Sequence, residues 1–323
     1  MTEGRRIAAA GTRGSSLELR SKALRIAAAE ILLIACVRDE LLRIAWFLDY
    51  HRKLGVDRFV IVDNGSTDGT LEYLSSQSDV SLFATDESYA ASKCGINWTN
   101  ELLDRYARGH WVLVLDADEL FVYPRCEAFS LRDLVGYLDG VKAQCMQAPL
   151  LDMYSGTPIK DTGYRRGEPF LATCPFFDDD GYDYSGRDPG GAKVMIRGGP
   201  RQRLFWDGYG RQHPSPFLPK LPLVKWQQGL AFDLSTHTLR GARKAEATGV
   251  LLHFKFLQDF LMRVQVEADR KEHFAAARQY AAYAEIMAAI PELTAYHEGS
   301  VRYENSLQLV ALGLMSMPRG YLA

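Results

Sequence analysis

Short apolar runs alternate with segments of helical periodicity along the first part of the chain. The strand-like runs span residues 31–37, 58–62, 80–84 and 111–114. Between them, 39–54 carries apolar residues at helical spacing and ends at Gly55, and 95–107 predicts another helix. Strands that alternate with helices indicate βαβ units, so the sequence predicts an α/β fold with a mostly parallel sheet flanked by helices.

The pattern changes in the second half of the chain. Most of the 13 prolines lie between Pro149 and Pro222, and regular elements do not persist through such spacing. We therefore expect long ordered loops and short strands there, and loops of this length in compact proteins usually bind ligands. Two further strands and one long amphipathic C-terminal helix are predicted at 230–237, 250–254 and 256–289.

Composition narrows the functional class. A chain of 323 residues buries a sizeable core, and a net charge of −2 argues against a nucleic-acid-binding protein with a broad basic face. The five cysteines contain no C-x-x-C pair, which argues against a disulfide framework or a zinc knuckle and fits a reducing compartment. No apolar run is long enough to cross a bilayer, so we expect a cytoplasmic protein.

Acidic residues follow the fourth predicted strand. The segment Trp111–Phe121 reads WVLVLDADELF and places Asp116 and Asp118 after the apolar run. Ligands of open α/β sheets bind at the carboxyl ends of strands, and carboxylates at i and i+2 of an extended segment point to one side. The pair suits a hard divalent cation shared with phosphate oxygens, although a strand that runs into a solvated acidic turn gives the same pattern.

Another acid ends the second predicted strand. Asp63 opens the turn Asp-Asn-Gly-Ser-Thr-Asp-Gly-Thr, in which glycine permits a tight turn and Ser or Thr caps the following helix. In this position Asp63 can accept a hydrogen bond from a base imide while the turn amides face a nucleotide. An ordinary strand-to-helix turn is the alternative explanation.

With Cys36-Val37-Arg38-Asp39-Glu40 after the first strand, these segments resemble family 2 of the nucleotide-sugar-dependent glycosyltransferases, which have the GT-A fold. The resemblance covers residues 31 to about 125, in the family's order and spacing. It implies that Val37 and Glu40 approach the nucleoside and that Asp63 contacts uracil in a uridine-type donor. Lys93 falls where relatives carry a basic donor contact, with a solvated surface lysine as the alternative.

The resemblance also implies a metal site. Asp116 corresponds to the first acid of the Asp-x-Asp pair, near the ribose, and Asp118 to the second, on Mn²⁺ or Mg²⁺. His253 lies on an apolar predicted strand, where a buried imidazole needs a partner, and related enzymes complete the metal shell with a histidine of this region. A satisfied core histidine is the alternative for His253.

The second half departs from the commonest pattern of the family. No Glu-Asp dipeptide follows Glu119, although many inverting members carry one whose Asp is the general base. The half resembles a bacterial subgroup instead, through 198–205, 219–226, Ser235-Thr236-His237 and 251–256. The base, and inversion or retention, therefore stay open. The candidate bases are Asp152, Glu168, Asp207 and Asp233.

Further contacts are expected in this half. His237 is a candidate contact of the diphosphate or the acceptor, and Trp226 a candidate sugar-stacking surface, with a core tryptophan as the alternative. Guanidinium and ammonium groups match phosphate oxygens and are expected to neutralise the leaving diphosphate. These groups belong to Arg201, Arg203 and Lys255.

The resemblance implies a metal-dependent transfer of a sugar from a nucleoside diphosphate donor to a hydroxyl of a glycan or lipid-linked glycan. It divides the chain into a flexible or loosely helical arm (1–30), a nucleotide-sugar-binding half (31–148), an acceptor-binding and metal-completing half (149–255) and a helical region (256–323). We expect residues from 31 onward to form one continuous catalytic domain. Arginines of the arm suggest peripheral contact with the inner face of a membrane, a solvated arm being the alternative.

Two other functions compete with this interpretation. A sugar-phosphate nucleotidylyltransferase carries a Gly-rich G-x-G-T-R loop after its first strand, and Gly11-Thr12-Arg13-Gly14 is similar but lies well before the first predicted strand. A catalytically silent nucleotide-sugar-binding protein on the same scaffold is compatible with the missing Glu-Asp pair.

Overall fold

A computed structural model describes residues 16–21, 26–187, 193–211, 213–233, 235–272 and 277–322. The strands are β1 Glu18–Leu19, β2 Leu32–Val37, β3 Arg58–Asp63, β4 Val80–Ala84, β5 Trp111–Val114, β6 Glu119–Val122, β7 Cys145–Met146, β8 Leu150–Asp152, β9 Phe176–Phe177, β10 Tyr182–Asp183, β11 Gly186–Arg187, β12 Lys193–Val194, β13 Arg197–Gly198, β14 Leu223–Lys225, β15 Ala231–Phe232, β16 Leu239–Arg240, β17 Val250–His253 and β18 Val301–Arg302. The helices are α1 Ile44–Leu54, α2 Thr70–Ser75, α3 Ile96–Tyr106, α4 Leu131–Gly140, α5 Phe170–Thr173, α6 Gly199–Phe205, α7 Phe260–Arg270, α8 Arg278–Ala289 and α9 Ser306–Ala311, with a 3₁₀ turn at Ile159–Asp161.

The predicted α/β fold is confirmed by the central sheet, whose strand order is β1-β4-β3-β2-β5-β14-β7. The four middle strands β4, β3, β2 and β5 are parallel, while β1, β14 and β7 pair antiparallel with their neighbours. The apolar side chains of these middle strands divide between two buried clusters, one on each side of the sheet. Their continuous apolar runs follow from this burial, because alternation appears only where one face meets water.

A smaller sheet stands beside the main one, with the order β6-β17-β8. β17 pairs antiparallel with β6 and parallel with β8, which aligns His253 with Glu119 on one side and with Asp152 on the other. The chain leaves β5 at Val114, turns through the acidic residues and enters β6 at Glu119. The acids and His253 are therefore neighbours although more than a hundred positions separate them in sequence.

Trp226 belongs to the core. Its side chain is fully buried, its ring stacks on Phe232 at 6.0 Å between centroids, and its Nε1 donates to Asp104 Oδ1 at 3.0 Å. The prediction that Trp226 offers a sugar-stacking surface is wrong, because β14 inserts beside β5 and turns the tryptophan into the sheet's packing layer.

Two helices stand in place of the one predicted at 256–289. α7 ends where Lys271 adopts a left-handed φ of 56°, and α8 begins at Arg278. The two pack together through aromatic side chains, with Phe260 and Tyr283 at 5.7 Å between ring centroids. Among the described residues, none of the helices has the length and apolar character needed to cross a membrane.

Only part of the predicted N-terminal arm is described. Residues 18 and 19 form β1, which pairs with Phe83 and Ala84 at the edge of the central sheet. Residues 1–15, with the segment Gly11-Thr12-Arg13-Gly14, and residues 22–25 lie outside the described residues. The expected membrane contact of the arm stays a prediction.

Candidate functional site

A cleft of about 720 Å³ lies at the carboxyl ends of the parallel strands. Val37 at the end of β2, Asn64 after β3 and the segment 116–119 after β5 form one wall. His253 of β17 lies beside this segment, and residues of α7 and α8 also line the cleft. This volume falls within the roughly 300–1,000 Å³ typical of small-molecule sites, and its position is where open α/β sheets bind ligands.

Three potential metal ligands converge in this cleft. His253 Nε2 lies 3.3 Å from Asp118 Oδ2, and ligand atoms of Asp118, Glu119 and His253 all lie within 4.8 Å of one another. Two carboxylates and an imidazole form a donor set that suits Mn²⁺ and accommodates Mg²⁺. The residues present therefore fit a divalent cation.

His253 is held from behind by a buried carboxylate. Its Nδ1 lies 2.5 Å from Asp152 Oδ1, and Asp152 Oδ2 accepts from Arg201 Nε at 2.7 Å. The side chain of Asp152 is 1% exposed and does not line the cleft, so it fixes the orientation of the imidazole. The proposal from sequence that Asp152 is a general base is wrong, since both of its oxygens are engaged away from the acceptor space.

Burial and neighbouring charged groups together shift the pKa values of the ionisable side chains in this centre. Burial opposes ionisation of Asp118, but His253, Lys255 and Arg43 outweigh it and hold the pKa of the Asp118 carboxyl well below its ordinary value. Burial likewise lowers the pKa of His253, and its two carboxylate neighbours reverse this and raise it above the ordinary value. Burial raises the pKa of Glu119 to about 7 although Lys220 acts in the opposite direction.

Lys220 is a residue of the site that sequence reasoning missed. Its ammonium is 7% exposed, donates to Asp116 Oδ2 at 2.7 Å and also bonds Glu119 Oε1. A buried ammonium needs such partners, and Lys220 neutralises acids that would otherwise repel each other. The sequence offers no sign of this, because a lysine between prolines reads as an exposed loop residue.

The turn after β3 reaches the cleft through Asn64, whereas Asp63 itself lies outside the lining. Asp63 is fully buried, and its Oδ1 accepts from the Ser66 amide at 3.0 Å. Its Oδ2 is buried and has no hydrogen-bond partner in the part of the chain that the structure describes. Asn64 fixes the turn by donating to the carbonyls of Thr85 and Glu87. An unsatisfied buried carboxylate oxygen is costly unless a ligand donor meets it.

Val37 and Glu40 both line the cleft, but their roles differ. Val37 is buried and sits beside Asp63 in the β2–β3 register. The carboxylate of Glu40 is committed, because its Oε1 accepts from Arg263 Nη2 at 2.5 Å. Glu40 therefore ties the first strand-end loop to α7, while its Oε2 lies 3.5 Å from Arg43 Nη1 and has no hydrogen-bond partner among the described residues.

Several residues expected from sequence do not reach the cleft. Lys93 and Asp207 are exposed and lie outside its lining. Arg203 is directed elsewhere, since its guanidinium binds Asp178 and the carbonyl of Ala295. The remaining candidate bases, Glu168 and Asp233, also lie outside the lining.

Basic and imidazole groups complete the cleft. Lys255 Nζ donates to Tyr280 Oη at 3.4 Å and lies over its ring, and it forms no ion pair with any described carboxylate. Arg201 lines the cleft while paired with Asp152. His237 lines it too, with Nδ1 bonded to the carbonyl of Pro219.

No family model and no curated protein matches the chain. Solved structures that are similar to part of it include the following two. One is 4-diphosphocytidyl-2C-methyl-D-erythritol synthase, at 16% identity and a TM-score of 0.27 over 39% of this chain and 63% of that one. The other is a proposed glucose-1-phosphate thymidylyltransferase from Bacillus anthracis in complex with sucrose, at 11% identity and a TM-score of 0.28 over 43% and 65%. The matches span less than two thirds of either chain and support no inference about activity.

Proposed function

We propose that this protein is a metal-dependent glycosyltransferase that moves a sugar from a nucleoside diphosphate donor to a hydroxyl acceptor. The observation that carries the proposal is the convergence of Asp118 and His253, 3.3 Å apart, in a cleft at the sheet edge that also bears the turn of Asp63. An acid and imidazole centre near such a turn supports the proposal that diphosphate chemistry takes place next to nucleoside recognition.

The donor is of the uridine type. Asp63 does not line the cleft, but its neighbour Asn64 does. Asp63 Oδ2 has no partner among the described residues, which supports a base that brings an imide N–H donor to this turn. Val37, adjacent in the register, offers an apolar contact to the nucleoside. Asp116, half exposed in the cleft and paired with Lys220, is available to the ribose.

Asp118 and His253 would hold Mn²⁺ or Mg²⁺. When bound there, the ion supplies Lewis-acid stabilisation to the leaving diphosphate. Lys255 adds a second positive charge, because its ammonium faces the cleft near Asp118 and forms no ion pair with a described carboxylate. Arg201 contributes indirectly by holding Asp152, which in turn orients His253.

The acceptor is a hydroxyl of a glycan or lipid-linked glycan, as the sequence resemblance implies. The loop-rich half supplies the opposite rim of the cleft, including Ser215, Phe217 and Thr238. This rim mixes hydroxyl and aromatic groups, which is the chemistry that sugar rings bind. Peripheral contact of the N-terminal arm with the cytoplasmic face of a membrane remains part of the proposal.

A panel of nucleotide sugars, screened by thermal shift with Mn²⁺, tests the proposal. A ligand at 100 times its Kd stabilises the folded state by about 2.7 kcal/mol, so the correct donor should raise the melting temperature by several degrees. Uridine diphosphate sugars should give the largest shifts, and a chelator should reduce them. No shift with any nucleotide sugar would contradict the proposal.

Product analysis separates the competing functions. A glycosyltransferase releases nucleoside diphosphate from a nucleotide sugar, whereas a nucleotidylyltransferase releases pyrophosphate from a nucleoside triphosphate and a sugar 1-phosphate. A silent binding protein shows the thermal shift and neither product. We expect uridine diphosphate release alone.

Asp152→Asn should weaken Mn²⁺ affinity about tenfold or more, in the range seen when groups that orient metal ligands are removed. The amide cannot accept in the same way from both Arg201 and His253, so the imidazole loses its fixed orientation. Titration with Mn²⁺, followed by calorimetry, measures the change.

Asp178→Asn is the matched control. Asp178 is also a buried carboxylate that binds one arginine and one histidine, Arg203 and His297, but it lies outside the cleft. It should lose stability to a similar extent and keep Mn²⁺ affinity unchanged. Equal Mn²⁺ affinities in the two variants would remove Asp152 from the metal centre.

A further inference from the structure

Each carboxylate of the cleft either forms an ion pair with a basic side chain or belongs to the proposed metal centre. Glu40 pairs with Arg263, and Asp116 and Glu119 share Lys220. Glu267 pairs with Arg270, and Asp118 belongs to the proposed metal centre. Asp152 is also engaged, and the other acids considered from sequence lie outside the lining. A neutral imidazole of the cleft is therefore the stronger candidate to accept the proton of the acceptor hydroxyl.

His237 has the geometry of a base. Its Nδ1 bonds the carbonyl of Pro219, and because a carbonyl only accepts, Nδ1 carries the proton and donates. The lone pair of the neutral ring is therefore on Nε2, which has no partner in the described ranges of the chain. The residue lines the cleft, and Phe217 holds the ring by an edge contact at 5.4 Å between centroids.

The ring stays neutral at physiological pH. Burial lowers the pKa of His237 to about 4, and the nearby Lys220 and Arg201 act in the same direction while Asp116 opposes them. A neutral imidazole with a fixed tautomer is ready to accept a proton, and proton acceptance becomes easier when an anionic donor enters the same cleft.

We propose that His237 is the general base of the transfer, an inference that rests on the proposed function. Nε2 takes the proton from the acceptor hydroxyl as its oxygen forms the bond to the anomeric carbon. The bond from that carbon to the diphosphate oxygen breaks, and nucleoside diphosphate leaves with the electron pair. The imidazolium then returns its proton to water.

The surroundings of His237 suit an acceptor sugar. Phe217 is 39% exposed at the same rim, with the Arg197 guanidinium 5.6 Å from its ring centroid, and Ser235 and Thr238 flank the histidine in the cleft lining. Aromatic faces bind sugar rings, and hydroxyl groups fix their orientation. The base thus lies within a surface that could hold the acceptor, beside Lys220 and Asp116.

His237→Asn tests the inference. The Asn amide can still donate to the carbonyl of Pro219 but has no basic nitrogen in place of Nε2. In the absence of an identified acceptor, water serves as the hydroxyl, and release of uridine diphosphate from the uridine diphosphate sugar selected by the panel is measured. We expect kcat to fall about 100-fold to 10,000-fold, the usual contribution of a positioned base.

His110→Asn is the control. His110 also bonds a backbone carbonyl through Nδ1, that of Glu30 at 2.9 Å, but it lies outside the cleft. The His110→Asn variant should hydrolyse the donor at the rate of the unmodified protein. If His237→Asn melts early, His237→Gln provides a second replacement without a base.

Two results would overturn the assignment. One is an unchanged kcat in a folded His237 variant. The other is a parallel loss of affinity for uridine diphosphate with Mn²⁺, which would make His237 a donor contact. If the unmodified protein neither binds nor hydrolyses any nucleotide sugar, the proposed function is wrong, and the assignment of His237 as its general base is rejected with it.

Discussion

Asp118→Ala is expected to abolish the metal-dependent part of uridine diphosphate binding and to leave the fold intact. The carboxylate faces His253 across 3.3 Å and is the ligand whose pKa is held well below its ordinary value, so it is ionised and ready to bind a cation. Calorimetric titration of uridine diphosphate with Mn²⁺, and again with a chelator, measures the metal-dependent part. In the variant the two titrations should coincide.

Asp139→Ala serves as the control for this experiment. Asp139 is a partly exposed acid that binds Lys225 outside the cleft, so its loss removes one carboxylate without touching the site. It should retain the full difference between the titrations with and without chelator. Equal affinity of the unmodified protein in both titrations would disprove the metal hypothesis.

Arg43→Met should lower the free energy of unfolding by about 3 kcal/mol, the lower end of what removal of one partner from a buried ion pair costs. Arg43 is 2% exposed and binds both oxygens of Asp259 at 2.6 Å, with Glu40 at 3.5 Å. The variant leaves the buried Glu40 and the largely buried Asp259 without this partner, and Arg263 compensates only in part. Urea unfolding followed by circular dichroism measures the loss.

Arg132→Met provides the comparison, because Arg132 pairs with Asp57 at the surface, where both side chains are substantially exposed. An exposed pair contributes between 0 and about 1 kcal/mol, so this variant should unfold near the midpoint of the unmodified protein. If both variants lose the same free energy of unfolding, the buried ion pairs of Arg43 contribute no more to stability than an exposed pair.

The first half of the fold could be predicted from sequence. The strand predicted at 80–84 is β4 without change, and those at 31–37 and 58–62 differ from β2 and β3 by one residue at one end. A continuous apolar run indicates a buried strand, and a glycine marks the end of a helix. Both signals are local and can be recognised in the sequence without knowing which segments pair. The acids at 116 and 118 were predicted at a strand end for the same reason, and they lie there.

The second half could not be predicted to this degree, because its elements are defined by partners far away in sequence. β14 has three residues and is recognisable only by pairing with β5 and β7. Asp152 and Lys220 act through contacts with His253 and Asp116, each about a hundred positions away, so nothing local distinguishes them from ordinary buried or loop residues. Arg203 shows the converse, a basic residue of suggestive spacing that binds a structural acid.

The position of β14 in the sequence also affects how the protein folds during its synthesis. During synthesis β5, an apolar strand, emerges long before the residues that cover its free edge, since β14 begins at Leu223. An uncovered apolar edge pairs readily with other chains, and non-local pairing of this kind folds slowly. A fragment ending near residue 148 should therefore aggregate rather than form a small nucleotide-binding module, and the nascent chain needs protection until its second half arrives.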